Sequence, residues 1–86
     1  MIIMQPLVID TRSSVPSYRQ LADQLRAAIQ NGEIAPDEQL PSLTRIKQET
    51  GLAVGTIQQA VRLLKEEGWA YSVPGRGTFA GSRPTE

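Results

Sequence analysis

The polar residues best suited to binding chemistry lie between positions 55 and 62. They combine a hydroxyl, two amides and a guanidinium group with a glycine: Gly55, Thr56, Gln58, Gln59 and Arg62. Amide and guanidinium groups present paired hydrogen bonds that match the exposed edges of DNA bases. The alternative is an ordinary solvated helix face, which is the commonest role of such positions. Which interpretation holds depends on the element that carries them.

A second candidate cluster is the segment Pro-Gly-Arg-Gly-Thr at residues 74–78. Short β-prone segments, residues 69–73 and 78–80, flank it, so the sequence predicts a hairpin with a glycine-rich tip. The glycines alone are compatible with a simple turn, since glycine supplies the positive φ that tight turns need. The arginine between them favours contact with a phosphate or a minor groove.

The first element that must position these clusters is an amphipathic helix ending near Gln30. Apolar residues recur along it at three- and four-residue spacing: Tyr18, Leu21, Ala22, Leu25, Ala28 and Ile29. That spacing places them on one side of about four helical turns. We expect Ser17 to cap this helix and Asn31-Gly32 to end it.

A short second helix is predicted to begin after Pro41. Ser42 is its expected N-cap, and Gly51 is its expected C-terminal stop. Leu43 and Ile46 are predicted to face inward, because they lie three residues apart.

Only residues 51–53 separate this helix from a third, predicted over residues 54–67. Its apolar side consists of Val54, Ile57, Ala60, Val61 and Leu64. Two helices joined by a tight turn that contains glycine are typical of a helix-turn-helix. In that motif the second helix presents its polar side to a DNA major groove. The polar residues at 55–62 occupy that side, which we call the polar face.

A helix-turn-helix followed by a hairpin predicts a mainly α fold, the winged helix-turn-helix. It has three helices and a wing of two to three strands, with residues 39–40 extended. Three segments are expected: an extended or loosely ordered arm at 1–16, the winged domain at 17–80 and a disordered tail at 81–86.

Composition excludes several classes of function. The 86-residue chain has room for one small domain and contains neither cysteine nor histidine. Disulfides, thiolate nucleophiles, most zinc and iron sites and proton transfer by imidazole are thereby excluded. We expect no cofactor, no metal and no enzymatic activity. Residues 1–9 lack a basic leader and are too short to span a bilayer, so we expect a soluble, cytoplasmic protein.

The formal charge is zero, but it is unevenly distributed along the chain. Residues 17–38 carry two arginines against four carboxylates, whereas residues 39–78 carry five basic side chains against three carboxylates. A neutral total argues against non-specific binding of nucleic acid by charge alone. The basic excess coincides with the predicted helix-turn-helix and wing. Lys65, at the far end of the third helix, is interpreted as an ordinary surface charge.

From about Leu7 to Ala80 the chain resembles the DNA-binding domain of GntR-family transcription regulators. The matching segments, in order, are VPSYRQLADQLRAAIQNGEI, LPSLTRI, GL with VGTIQQAV, LLKEEGW and GRGTF. The resemblance implies a bacterial regulator, usually a repressor, that binds palindromic operators in double-stranded DNA as a dimer. It also implies that the third helix and the wing contact the DNA.

The chain departs from the family pattern at three positions where arginine is typical. Thr44, Val54 and Gln58 occupy them, and Arg45 is a candidate replacement for the first. Arginine pairs with guanine, whereas glutamine pairs with adenine N6 and N7. We therefore expect an operator unlike the family's usual one.

The predicted DNA-binding residues come from the start of the second helix, the polar face and the wing. They are Ser42, Thr44, Arg45, Gly55, Thr56, Gln58, Gln59, Arg62, Gly75, Arg76, Gly77 and Thr78. The side chains of Thr56, Gln58, Gln59 and Arg62 are expected to read bases. Those of Ser42, Thr44, Arg45, Arg76 and Thr78 are expected to position the DNA backbone.

Some alternatives stay open at this point. A winged helix can instead serve as a protein-interaction module, because fold alone does not fix function. A homodimer is expected at least on DNA, and the apolar residues 1–9 are one candidate contact. No small-molecule effector domain is visible in the sequence.

Overall fold

The computed structural model describes residues 7–81, which form three helices followed by one antiparallel hairpin. The elements are α1 (Ser17–Gln30), α2 (Leu43–Thr50), α3 (Val54–Glu66), β1 (Ala70–Val73) and β2 (Gly77–Ala80). The predicted winged helix-turn-helix is confirmed. No helix in this part of the chain combines the length and apolar character needed to cross a bilayer.

Aliphatic side chains from the helices build the core that holds the hairpin and helices together. The largest fully buried side chains are Leu21, Leu25, Ile46, Ile57 and Leu64. On α1 and on α3 the buried positions recur every three to four residues, so each helix turns one side inward. Each such side chain contributes about 1.5–3 kcal/mol through burial. Packing of α1 against α3 therefore fixes which side of α3 remains exposed.

The start of α1 differs from the prediction that Ser17 caps it. Ser17 is the first helical residue, and the capping position is taken by Pro16, whose side chain makes no hydrogen bond. The Pro16 carbonyl instead accepts from the backbone N–H groups of Arg19 and Gln20, at 3.0 and 3.1 Å. Proline already has extended geometry there, with ψ of 147°, so the helix begins at Ser17, one residue earlier than a cap at Ser17 would allow.

The boundaries of α2 follow the prediction, but one of its side chains does not. Ser42 caps the helix, its Oγ accepting from the Arg45 N–H at 3.1 Å, and Gly51 ends it with φ of 73°. Leu43 was predicted to face inward and is 41% exposed. It is the first residue of a helix of eight, and only Ile46 of α2 reaches the core.

The hairpin gains a third, short partner from the segment that precedes α2. In β1 and β2, Ser72 lies opposite Thr78. Along the other edge of β2, Leu40 N–H donates to the Thr78 carbonyl at 2.9 Å, and Ala80 N–H donates to the Glu38 carbonyl at 2.8 Å. Residues 37–40 therefore attach the base of the hairpin to the beginning of α2.

The segment before α1 was predicted to be an extended or loosely ordered arm, and its described part is attached to the helices. Leu7 is only 4% exposed, and its N–H donates to Glu49 Oε1 at 3.1 Å. Val8 N–H donates to Gln24 Oε1 at 2.9 Å. Leu7 is thus part of the core of its own chain and unavailable as a dimer contact. Residues 1–6 of the predicted arm lie outside the described residues.

The predicted disordered tail begins one residue too early. Gly81 is buried, and its N–H donates to the Trp69 carbonyl at 2.7 Å, which continues the pairing of the hairpin one residue beyond Ala70 and Ala80. Residues 82–86 lie outside the described residues.

Candidate nucleic-acid interface

The polar face of α3 points away from the core. Ile57, Ala60 and Leu64 bury the opposite side of the helix, and this leaves Gln58, Gln59 and Arg62 exposed. Within residues 7–81 these three polar side chains form neither a hydrogen bond nor an ion pair. Their donors and acceptors are therefore available to an external partner.

The five residues of the polar face do not all share one direction. Gly55 and Arg62 lie within about 60° of Gln58 around the helix axis, and Gln59 lies about 100° away. Thr56 is half-buried and lies about 160° from Gln58. The structure therefore brings Gly55, Gln58 and Arg62 together and places Thr56 on the flank of the helix.

The wing, residues 74–78, begins with a tight turn. The Arg76 N–H donates to the Val73 carbonyl at 2.9 Å, which closes a four-residue turn. Its two central positions are Pro74 and Gly75, and Gly75 has φ of 77°. Proline followed by a glycine at positive φ is the pair that a type II turn favours. The turn leaves Arg76 exposed beside the tip of the hairpin.

Gln39 forms a hydrogen bond to the backbone of the wing, a role that the sequence did not predict. Its Nε2 donates to the Arg76 carbonyl at 3.1 Å. Gly77 has φ of 121°, and a Cβ atom at this position would lie 2.7 Å from Gln39 Nε2. The glycine therefore allows the Gln39 side chain to approach and hold the backbone that carries Arg76. Gln39 was predicted only to be extended, because nothing in its spacing links it to residues 37 positions later.

A groove of about 510 Å³ joins α3 to the base of the wing. We call it the α3–β2 groove. Gln58 and Arg62 line its helix side, and Thr78 lines it from the strand. Two predicted binding regions thus meet at one continuous surface. Lys65, interpreted from sequence as a plain surface charge, also lines the groove. Its position three residues after Arg62 and seven after Gln58 was the signal that places it on that side.

The start of α2 presents a separate set of predicted contacts. Ser42, Thr44 and Arg45 are exposed, but the Ser42 hydroxyl is engaged in capping. Arg45 Nε donates to Glu49 Oε2 at 2.8 Å, and the Arg45 side chain is 49% exposed. The remaining guanidinium N–H groups make no hydrogen bond to a residue that the structure describes. Arg45 is thereby oriented by Glu49 and still able to donate to a phosphate.

Hydrogen bonds and ion pairs decide which charged side chains near this surface are already engaged. The hydrogen bond from Arg45, followed by that from the Leu7 N–H, lowers the pKa of Glu49. Ion pairs among residues 7–81 engage only Arg26 and Arg45 of the basic side chains. Arg62, Lys65 and Arg76 are exposed and take part in none of these ion pairs. No cluster of potential metal ligands occurs in the described part of the chain.

Comparison with known proteins identifies relatives for most of this domain. The family described as bacterial regulatory proteins, gntR family, matches residues 17–80. The chain is 41% identical over 76 residues to the HTH-type transcriptional repressor NagR of Bacillus subtilis (strain 168), which covers 88% of this chain and 31% of that protein. It is 38% identical over 71 residues to the arabinose metabolism transcriptional repressor of Geobacillus stearothermophilus, covering 83% of this chain and 19% of that protein. The chain thus spans a third or less of these relatives.

Solved structures share the fold over nearly the whole domain. AraR(DBD) in complex with operator ORX1 superposes with a TM-score of 0.79 at 31% identity, covering 86% of this chain and 94% of that chain. YtrA from Sulfolobus acidocaldarius, a GntR-family transcription factor, superposes with a TM-score of 0.81 at 32% identity, covering 92% and 83%. The family match, residues 17–80, contains both helices of the helix-turn-helix and the wing.

Proposed function

Because the chain belongs to the GntR family of bacterial regulatory proteins, we propose that it binds operator DNA sequence-specifically within a transcriptional regulator. In this proposal α3 enters the major groove, and the wing contacts the backbone or the minor groove. The observation that carries it is the unpaired polar face of α3, which lies beside a wing whose arginine is exposed. The structure of AraR(DBD) with an operator, at 31% identity, supports the same mode of binding here.

Base reading is assigned to the amino-terminal half of α3. Gln58 occupies a position where the family usually has arginine, and its amide pairs with N6 and N7 of adenine rather than with guanine. Gln59 lies about 100° from it around the helix axis and Thr56 about 160°, so we assign these two side chains to bases other than the one that Gln58 reads. We therefore propose that the half-site carries adenine where typical family members select guanine.

Contacts to the DNA backbone are assigned to the residues that surround α3. Arg45 is oriented by Glu49 and keeps free N–H groups, and Arg76 is held at the wing by Gln39. The hydroxyls of Ser42, Thr44 and Thr78 and the glycines beside Arg76 complete this set. Such contacts fix the register of the protein on the duplex without reading sequence.

We further propose that the domain represses transcription by occupying the operator, as the names of its relatives suggest. It acts in the cytoplasm and without catalysis. Two copies bind a palindromic site, in keeping with the two-fold symmetry of such operators. Analytical ultracentrifugation with and without the duplex tests this point: a 2:1 complex is expected, and a 1:1 complex on a full palindrome would contradict it.

The direct test is selection from a pool of random duplex DNA, followed by sequencing of the bound fraction. A defined motif is expected for the wild-type chain, and Gln58→Ala should relax it at one position in each half-site. Arg76→Ala should weaken binding without changing the motif. Gln30→Ala is the matched control, because this exposed glutamine lies on α1, away from the polar face.

If no motif is enriched and affinity stays weak at low salt, the domain does not function by reading DNA. That outcome would favour a winged helix used for contact with another protein.

A further inference from the structure

Two glutamines of α1 hold the backbone of the segment before that helix. The Gln24 side-chain amide accepts from the Val8 N–H at 2.9 Å and donates to the Val8 carbonyl. One turn earlier on α1, Gln20 makes the same pair of contacts with the Asp10 backbone, both at 2.8 Å. Because these contacts use backbone groups, the Val8 side chain stays 70% exposed. The path of residues 8–10 along α1 is therefore fixed.

That path directs the Leu7 N–H toward α2. The N–H donates to Glu49 Oε1 at 3.1 Å, and the other oxygen, Glu49 Oε2, accepts from Arg45 Nε at 2.8 Å. Both oxygens belong to one planar carboxylate, so a hydrogen bond at either oxygen restricts the orientation of the other. The Glu49 side chain is only 23% exposed, which restricts it further. Leu7, Glu49 and Arg45 thus form a continuous series of contacts that ends at the start of α2.

Arg45 is the residue of this series that can contact DNA. Of the three arginines proposed to contact DNA, only Arg45 has a carboxylate partner within residues 7–81. A long side chain loses rotamer freedom when it binds a phosphate, and a side chain that is already restricted loses less. Glu49 engages only Nε, so the two terminal nitrogens of the guanidinium remain able to donate. The ion pair therefore orients Arg45 and leaves donors for a phosphate.

We propose that the segment before α1 strengthens operator binding without touching the DNA, by holding Glu49 where it orients Arg45 toward a phosphate. Leu7, Gln24 and Glu49 are then positioning residues, and Arg45 makes the contact. This inference rests on the proposed function. It gives the segment a role in recognition in addition to the burial of Leu7 in the core.

A double-mutant cycle between Gln24 and Arg45 tests this role. Gln24→Ala removes both contacts to Val8 and leaves the charge of the chain unchanged. We expect an affinity for the selected duplex that is about twofold lower, the effect of an exposed ion pair between residues four apart on a helix. In the Arg45→Gln background the same change should have no effect, because the group through which Gln24 acts is absent. Fluorescence anisotropy at one salt concentration measures all four proteins.

Gln30→Ala is the matched control, since Gln30 is an exposed glutamine at the far end of the same helix. Its affinity should equal that of the wild type in both backgrounds. Thermal unfolding of each variant verifies that the fold is intact before affinities are compared.

Hydrogen exchange at the Leu7 N–H provides an independent test in the unaltered segment. Coupling between two sites is reciprocal, so DNA bound through Arg45 must stabilise the contact between Leu7 and Glu49 by the same factor. We expect the selected duplex to slow this exchange about twofold more in the wild type than in Arg45→Gln. A purely structural role of the segment would slow the exchange equally in both proteins.

Three results would overturn the inference while leaving DNA binding intact. One is an unchanged affinity for Gln24→Ala. Another is a loss of affinity for Gln24→Ala that is equal with and without Arg45, which would mean that the segment acts through the fold as a whole. The third is a gain of affinity for Glu49→Gln, which would mean that repulsion between the carboxylate and DNA outweighs the orientation of Arg45. Failure of the wild-type chain to select any motif would instead count against the proposed function itself.

Discussion

Polar side chains on the α1 side of the domain and on the outer side of α3 differ in whether they form hydrogen bonds within the domain. On the α1 side, Gln20 Nε2 donates to the carbonyls of Asp10 and Val15, both at 2.8 Å. Arg26 donates to both Asp23 and Glu67 at 2.6 Å. On the outer side of α3, the polar side chains of residues 58–62 have no such partner within residues 7–81. Gln20 and Arg26 on the α1 side are thus engaged within the domain, whereas Gln58, Gln59 and Arg62 are free to bind an external partner.

This difference indicates how one small domain separates stability from recognition. Hydrogen bonds and ion pairs on the α1 side attach the segment before α1 and join α1 to the end of α3. Because the polar face is not engaged internally, binding to an external partner breaks no contact that stabilises the fold. We therefore expect variants on the two sides to affect different measurements.

The largest expected effect is a loss of stability when the core beneath α1 is truncated. Leu25→Ala removes a fully buried side chain of α1, and we expect a loss of about 2–5 kcal/mol in the free energy of unfolding. Urea denaturation monitored by circular dichroism measures it. A loss below about 1 kcal/mol would mean that α1 is not the support that positions α3.

A variant on the outer side of α3 should lose discrimination between DNA sequences and keep its stability. Gln58→Ala should reduce discrimination between the selected duplex and one with a changed base pair by about 1–3 kcal/mol. The free energy of unfolding should stay within about 0.5 kcal/mol of the wild type, because Gln58 is exposed and unpaired. Fluorescence anisotropy titrations and denaturation of the same preparation give both numbers. A loss of stability as large as the loss of discrimination would contradict the claim that different residues serve stability and recognition.

A smaller effect is expected at the ion pairs that close the α1 side. Arg26→Gln removes contacts to Asp23 and Glu67, and we expect about 1 kcal/mol less stability, since these pairs are partly exposed. Affinity for the selected duplex should not change. Stability that is more sensitive to salt in the wild type than in this variant would support the assignment. Weakened DNA binding would contradict it.

The smallest effect concerns Glu49, which connects the two regions. Its contacts with Arg45 and Leu7 lower the pKa of Glu49. The carboxylate therefore stabilises the fold at pH values above the ordinary pKa of about 4.5, and this contribution is lost as the pH falls through the lower pKa of the folded state. Glu49→Gln should cost less than about 1 kcal/mol at pH 7. The gap between the two proteins should close in acid, as measured by thermal unfolding at several pH values. A gap that is independent of pH would exclude the charged contact.

The helices could be predicted from the sequence because their apolar periodicity and terminal residues agree. Ser42 and Gly51 lie where a cap and a stop are favoured, and α2 runs between them. Leu43 was misplaced because a helix of eight residues offers only two apolar positions, too few to define a buried side. The structure corrected its orientation to the exposed rim of the groove.

Contacts between distant polar residues could not be predicted in the same way. Glu49 and Leu7 are 42 residues apart, and Gln39 and Arg76 are 37 apart, with no periodicity to connect them. Lys65 differs, since its spacing from Arg62 and Gln58 was visible. What the sequence lacked was the position of β2, which turns that side of α3 into one wall of a groove.

Chemical-shift mapping by NMR tests the central claim most directly, because it observes both sides of the domain in one titration. The isotope-labelled chain would be titrated with a duplex that carries the selected motif. We predict the largest amide shift changes at residues 54–62 and 74–78 and at the start of α2, with little change along α1. Changes concentrated on α1, or equal changes with the motif and with a scrambled duplex, would contradict the account.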